Sequence, residues 1–188
     1  VTVSEGVETI VQNAFRACKS LSSIALPASI EEVGASAFFQ CTAMTSAAFA
    51  PGSKRVRLGE NLFTQCYYLM RVTLPKSVDC ISNGMFQNCL MLPGVIIPQG
   101  AESIGTWAFA SCSAFTAVVI PDSVETIEMA AFASCPLENI YFTGTKEQWN
   151  SIGKSADTMQ TVSKAQIHYN YVPSPAPDPD EGDDNDNN

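Results

Sequence analysis

Apolar and polar positions along this chain recur at a fixed interval, marked most clearly by a Phe that is followed three residues later by a Cys. Successive markers are 23 residues apart, except for one interval of 25. A constant period in the twenties is typical of a solenoid, in which each repeat forms one coil. The marker residues are Phe15, Phe38, Phe63, Phe86, Phe109 and Phe132, with Cys18, Cys41, Cys66, Cys89, Cys112 and Cys135.

Each repeat also carries strand-like apolar positions. An aliphatic residue stands five residues before each Phe, and a segment such as LSSIALP, from residue 21, follows each Cys. Ile24 and Leu26 alternate with small residues, which is the period of a strand with one buried face. Pro27 ends this strand because it has no N–H for the ladder. The pattern predicts parallel strands from successive coils, stacked about 4.8 Å apart.

The third repeat departs from this pattern. Two additional residues around GSKRVRLG account for the longer interval, and Arg55 stands where an inward-facing aliphatic is expected. Ala101 occupies the same position of the fifth repeat. At the following position of each repeat, seven residues before the Phe, an acidic residue recurs in every repeat except the third, which has Val56. These departures predict a less regular third coil within an unchanged fold.

The repeats resemble BspA-like leucine-rich repeats, known from bacterial surface proteins, whose pattern is roughly L-x-x-I-x-L-P-x-S-V-x-x-I-G-x-x-A-F-x-x-C. LSSIALPASIEEVGASAFFQC (21–41) and FTAVVIPDSVETIEMAAFASC (115–135) match this pattern almost throughout. The resemblance covers residues 1–142. It implies an α/β repeat solenoid, a right-handed leucine-rich-repeat coil with a parallel β-sheet and about six coils, followed by a C-terminal cap.

The chain after the repeats predicts a cap and a tail. IYFTGTKEQWNSI (140–152) resembles the closing segment of the same family. Thr145 can cap a short helix with Gln148 three residues later, and Trp149 can cover the end of the core. We therefore expect a C-terminal cap over residues 143–172. Residues 173–188 are rich in Pro, Asp and Asn and cannot bury a core, which predicts a disordered acidic tail or linker.

Charge and hydropathy narrow the classes of partner. The net charge is −9, and the tail contributes six acids and no base, which leaves −3 for the rest. Nucleic-acid binding needs a basic face, so no nucleic-acid partner is expected. No apolar run is long enough to span a membrane. The chain opens on VTVSEGVETI, without an initiator Met or a basic leader, which we interpret as a mature or trimmed form.

The in-register cysteines could form disulfides or a column of free thiols. Parallel Cβ vectors give poor disulfide geometry, which favours buried thiols that act as small hydrophobes. A zinc site would need closely spaced cysteines, and none are present, so no metal is expected. Cys80 lies outside the register and is expected to be the most exposed thiol.

No residue pattern predicts catalysis. The single histidine, His168, lies between Ile167 and Tyr169, and no Ser stands in a nucleophile motif. Paired-carboxylate, phosphate-loop and dinucleotide motifs are also missing from the sequence. We therefore predict a protein that is not an enzyme, with no catalytic residues and no cofactor.

The remaining candidates lie on the outward face of the predicted sheet. The late repeats place Ile96, Val119 and Tyr141 side by side, which predicts an apolar stripe unless the cap covers it. The candidate partner-binding residues are Arg71, Thr73, Ile96, Val119, Asn139 and Tyr141.

The family resemblance implies protein–protein recognition or adhesion at a bacterial surface. It implies an extracellular or cell-surface location and a host extracellular-matrix or plasma protein as partner. The alternative is a structural spacer that presents a neighbouring domain away from the cell wall. No oligomeric state is predicted.

Overall fold

The computed structural model describes residues 1–52 and 55–173, and over these residues the chain is a solenoid of parallel strands. One strand of each coil lies on the longer face, here called the main face. These strands are β2 Ser23–Leu26, β4 Ser46–Phe49, β6 Arg71–Thr73, β8 Gly94–Ile96, β10 Ala117–Ile120, β12 Asn139–Phe142 and β14 Gln166–His168.

A two-residue strand of each coil lies on a second face. These strands are β1 Thr9–Ile10, β3 Glu32–Val33, β5 Arg57–Leu58, β7 Cys80–Ile81, β9 Ser103–Ile104, β11 Thr126–Ile127 and β13 Gly153–Lys154. The structure confirms the predicted solenoid of parallel strands. It has about seven turns rather than six, because the cap itself adds strands β13 and β14 to the two faces.

The strands form because alternate residues are apolar and can be buried between stacked coils. Ile24 and Leu26 are both buried, whereas Ala25 between them is exposed. Neighbouring strands pair without offset, so that Ile24 lies beside Ala47 and Leu26 beside Phe49. Equivalent residues of successive repeats therefore lie in columns along the solenoid.

The Phe side chains form one such column inside the solenoid. Consecutive rings are nearly parallel, with interplanar angles of 4–12° and centroids 5.3–5.6 Å apart. Phe15 is half-buried at the first coil, and the other five rings are fully buried. This column fills the core on the side of the coil that carries the Phe–Cys turn.

The Phe–Cys turns have an unusual backbone. In every repeat the residues two before and two after the Phe have positive φ, although only one of the twelve is a glycine. A left-handed conformation costs a non-glycine residue about 1 kcal/mol, and Asn tolerates it best. None of the twelve is β-branched. They are Asn13, Ala17, Ser36, Gln40, Asn61, Gln65, Gly84, Asn88, Trp107, Ser111, Ala130 and Ser134.

The third coil interrupts the strand pairing, as its irregular sequence predicts. Within residues 1–52 and 55–173, no hydrogen-bonded ladder joins β6 to β8 or β5 to β7, and a single bridge joins Val56 to Val78. The assignment of Arg55 to the inward position was wrong. Val56 is fully buried there, while the exposed Arg55 pairs with Asp79, because the additional residues shift the register by one.

The cap holds the two helices of the described residues, α1 Lys146–Ser151 and α2 Ala156–Val162. The predicted capping box at Thr145 and Gln148 is confirmed, and the buried Trp149 packs edge-on against Phe142 at 5.4 Å. In α2, the Thr158 hydroxyl donates to the Glu128 carbonyl at 2.7 Å. This helix takes the place of a Phe–Cys turn. The predicted tail, apart from Pro173, lies outside the described residues.

Candidate binding surface

The cysteines are all free thiols, and five of them make the same kind of hydrogen bond, each to a different coil. Each Sγ–H donates to the carbonyl oxygen of the Phe in the preceding coil, at 2.8–3.2 Å. The same carbonyls accept the backbone N–H of the Cys in their own coil, as Phe63 does from Cys66 at 3.0 Å. Burial raises the pKa of Cys66 to about 12, so its thiol stays protonated. The thiol column therefore links each coil to the one before it.

The structure corrects two expectations about individual cysteines. Cys18 is exposed, because no earlier coil of the described residues lies over it. Cys80, which was expected to be exposed, is half-buried because it lies in β7 and pairs with Ser103 of β9. This burial raises the pKa of its thiol. Cys18, rather than Cys80, is therefore the most accessible thiol.

The outward residues of the main face also form columns, interrupted between β6 and β8. On one side the columns are Ser23–Ser46–Arg71 and Ala25–Ala48–Thr73. On the other side they are Gly94–Ala117–Asn139–Gln166 and Ile96–Val119–Tyr141–His168. The six candidate residues thus share one face but fall on two sides of the interruption.

The predicted apolar stripe is present as a column but is unevenly exposed. Ile96 is 55% exposed, whereas Val119 is only 9% exposed because Ile96 and Tyr141 flank it. Tyr141 is half-buried, with the His168 ring stacked on it at 4.7 Å and the Tyr171 ring tilted against it at 4.8 Å. The cap therefore covers one end of the stripe, and the open end is at Ile96. The expectation that Val119 is an exposed contact residue was wrong.

Asn139 and His168 hold the cap strand in place. The Asn139 Oδ1 lies 3.0 Å from the His168 Nε2, while the His168 ring stacks on Tyr141. Both contacts join β14 to β12, so these side chains are engaged within the protein.

Arg71 and Thr73 remain open to solvent on β6. Arg71 is the only Lys, Arg, Asp or Glu among the outward residues of strands β2 to β14 on the main face. Its neighbours in the same column are the serines 23 and 46. A single cation thus lies among the otherwise uncharged outward residues of these strands, two residues before Thr73 and next to the interruption.

A group of exposed apolar residues, here called the corner patch, was missed by the sequence reasoning. It comprises Tyr68, Met70, Leu90 and Met91, which are 39–60% exposed. The Met91 N–H donates to the Tyr67 carbonyl at 3.2 Å, which places the two coils in contact at this corner. The equivalent positions of the second repeat are Thr42, Ala43 and Thr45. A comparison of non-repeating positions would therefore have revealed the patch.

The sequence matches the pattern of the BspA-type leucine-rich repeat region in six copies, over residues 1–116 and 52–156. The chain belongs to the BspA-type leucine-rich-repeat family. Repeat proteins of this kind generally bind proteins and are generally non-catalytic. No curated protein matches the sequence.

Solved structures of bacterial leucine-rich-repeat proteins share the fold. A cell surface protein from Faecalibacterium prausnitzii is 24% identical with a TM-score of 0.72, over 89% of this chain and 45% of that one. A T. pallidum leucine-rich-repeat protein is 27% identical with a TM-score of 0.61, over 71% and 62%. The pneumococcal vaccine antigen PcpA is 14% identical with a TM-score of 0.62, over 83% and 43%.

This chain spans less than two thirds of the length of each of these proteins. Neither α1 nor α2, nor any other helical segment in the described part of the chain, has the length and hydropathy of a membrane-crossing helix.

Proposed function

We propose that this chain is a non-catalytic recognition module of a bacterial secreted or cell-surface protein, and that it binds a protein partner through the main face at the third and fourth coils. The observation that carries the proposal is the exposed Ile96 of β8, in the coil that follows the one with Arg71 and Thr73. The corner patch belongs to the same two coils. Exposed apolar groups beside a cation are the composition of many protein contact sites.

The cap covers one end of the main face and leaves the third and fourth coils open, which supports binding at these coils. The cap strand adds to β12, and His168 and Tyr171 pack on Tyr141. Ile96 lies away from this cover and has more than half of its side chain in solvent. Of the six candidate residues, Arg71, Thr73 and Ile96 are therefore the ones proposed to contact a partner directly.

The engagement of the nucleophilic groups supports a non-catalytic role. The Sγ atoms of the column donate to Phe carbonyls, and His168 is held by Asn139 and Tyr141. Membership of a family known from bacterial surface proteins, and a fold shared with a cell surface protein of F. prausnitzii, support adhesion to a host extracellular-matrix or plasma protein. It is the biological setting we propose for this module.

The test is a binding assay against immobilised fibronectin and fibrinogen, with the wild-type chain and two variants. Ile96→Glu and Arg71→Glu should each reduce binding, Ile96→Glu by about tenfold or more because it places a carboxylate in an apolar contact. Val11→Glu is the matched control, since Val11 is 64% exposed but follows β1, away from the main face. Equal binding by wild type and both variants would contradict the proposed surface.

A structural spacer makes a different prediction. The Phe column continues through all six repeats, which would suit a stiff connector. Replacing the repeats by an unrelated solenoid of equal length should preserve adhesion of the whole protein if it is a spacer. Adhesion should be lost if the main face recognises a partner.

A further inference from the structure

The interruption between β6 and β8 does not extend to the Phe–Cys turns of the solenoid. On the opposite side, the same two coils remain in contact. The rings of Phe63 and Phe86 are 5.6 Å apart, and the Cys89 Sγ–H donates to the Phe63 carbonyl at 3.2 Å. The third and fourth coils therefore separate at the main face, while their Phe–Cys turns stay in contact. We call this separation the split.

Burial at the split differs from burial elsewhere on the main face. Val72 and Leu74, the inward residues of the third coil, are only half-buried. Their equivalents in the first coil, Ile24 and Leu26, are each 2% exposed. The split thus exposes apolar core side chains that strand pairing covers in the other coils.

Two strand edges face each other across the split. β6 pairs with β4 on its other side, and β8 pairs with β10, but no ladder joins β6 to β8. Strand edges without a partner are templates for an additional strand, and binding partners commonly use them in this way. An extended peptide satisfies such edges, whereas a helix or a small apolar ligand does not.

The rim of the split indicates which side chains such a peptide would carry. Ile96 and the corner patch lie on the rim and favour apolar residues. Arg71 lies at the beginning of β6, in the column of the serines, and favours a carboxylate. The expected occupant therefore combines alternating apolar residues with one acidic residue.

We propose that the split accepts an extended, acidic and apolar peptide segment of a partner protein, which pairs with β6 and β8 and places its carboxylate against Arg71. This inference rests on the proposed recognition function and specifies its binding mode.

The probe for the first test is the labelled peptide FTDVVIP. It copies residues 115–121, the region of β10 that pairs with β8, with Asp in place of Ala117, whose column continues toward Arg71. Fluorescence anisotropy should show FTDVVIP binding about threefold more tightly than FTKVVIP, as an exposed ion pair allows. FTDVVIP with alternate amides N-methylated should bind at least about tenfold more weakly, because it lacks strand donors.

Hydrogen exchange locates the peptide. Amides of residues 71–73 and 94–96 should exchange more slowly when FTDVVIP is bound. Protection at residues 166–168 alone would overturn the proposal, since it would place the peptide on the outer edge of β14. Equal binding by the N-methylated peptide would also overturn it, because strand pairing would not be involved.

Protein variants test the carboxylate site. Arg71→Glu should reverse the preference, so that FTKVVIP binds more tightly than FTDVVIP, whereas Lys19→Glu, an equal charge change on the first coil, should leave it unchanged. An unchanged preference in Arg71→Glu would overturn the pairing with Arg71. If the peptides fail to bind but Ile96→Glu still abolishes fibronectin or fibrinogen binding, strand addition is wrong and the proposed function stands.

Discussion

The turn side of this solenoid, with its Phe–Cys turns, is regular along all six repeats, whereas the main face is not. On the turn side, the Phe rings and the Cys thiols continue without interruption from the first repeat to the sixth. On the main face, the strands separate between the third and fourth coils, and apolar residues become exposed there. One side thus supplies continuity and stability, while the other differs from coil to coil and carries the proposed contact surface.

The largest expected effect is a difference in stability between the two sides. Phe63→Ala removes a fully buried ring from the middle of the column and should lower the free energy of unfolding by about 3–5 kcal/mol. Val72→Ala, in the half-buried wall of the split, should cost about 1 kcal/mol. Urea denaturation measures both, and equal losses would contradict the comparison.

The second prediction concerns pH and tests the buried thiols of the turn side. Burial raises the pKa of Cys66 from 9.0 to about 12. The unfolded chain therefore releases the thiol proton first, so its contribution to stability is complete below pH 9 and is lost as the pH rises toward 12. The loss should be about 1 kcal/mol for each pH unit above 9. Urea midpoints from pH 7 to 10.5 measure it.

Cys66→Ala is the control for this prediction, because it removes the titrating group. Its urea midpoint should fall less steeply above pH 9 than that of the wild-type chain. The exposed Cys18 has no comparable burial, so Cys18→Ala should leave the slope unchanged. Identical slopes in all three proteins would contradict the assignment of the pH effect to the buried thiols.

The smallest expected effect tests the backbone of the turn side. Trp107 has a φ of 55° and is 49% exposed, so its side chain contributes little packing to offset a strained backbone. Trp107→Asn should raise the free energy of unfolding by about 0.5–1 kcal/mol, because Asn tolerates this conformation better. Thermal denaturation measures the change. Thr73→Asn on exposed β6 is the control and should not stabilise the protein.

Most of the fold could be predicted from residues that recur in the sequence and from short local patterns. The spacing of the Phe–Cys markers predicted the coils, and Thr145, Gln148 and Trp149 predicted the cap helix. Both depend on local patterns, which a sequence shows directly. The register shift that buries Val56 instead of Arg55 depends on where two additional residues are accommodated, and only the stacked coils decide that.

The candidate surface was less predictable because exposure depends on neighbours in other coils. Val119 faces outward, yet Ile96 and Tyr141 cover it, and Tyr141 is itself covered by His168. Cys18 is exposed because it lies at an end of the column. The corner patch, by contrast, left a signal in the sequence: large apolar residues at positions where other repeats have small ones.

The direction of the thiol hydrogen bonds has a consequence for the order in which the protein forms. Every Sγ–H reaches back to the Phe carbonyl of the coil before it. A coil that has just emerged from a ribosome or a translocation pore therefore lacks one of its bonds until the next repeat arrives. Because repeats contact only their neighbours, the front of completed structure trails the emerging chain by one repeat, until the cap finishes the last coil.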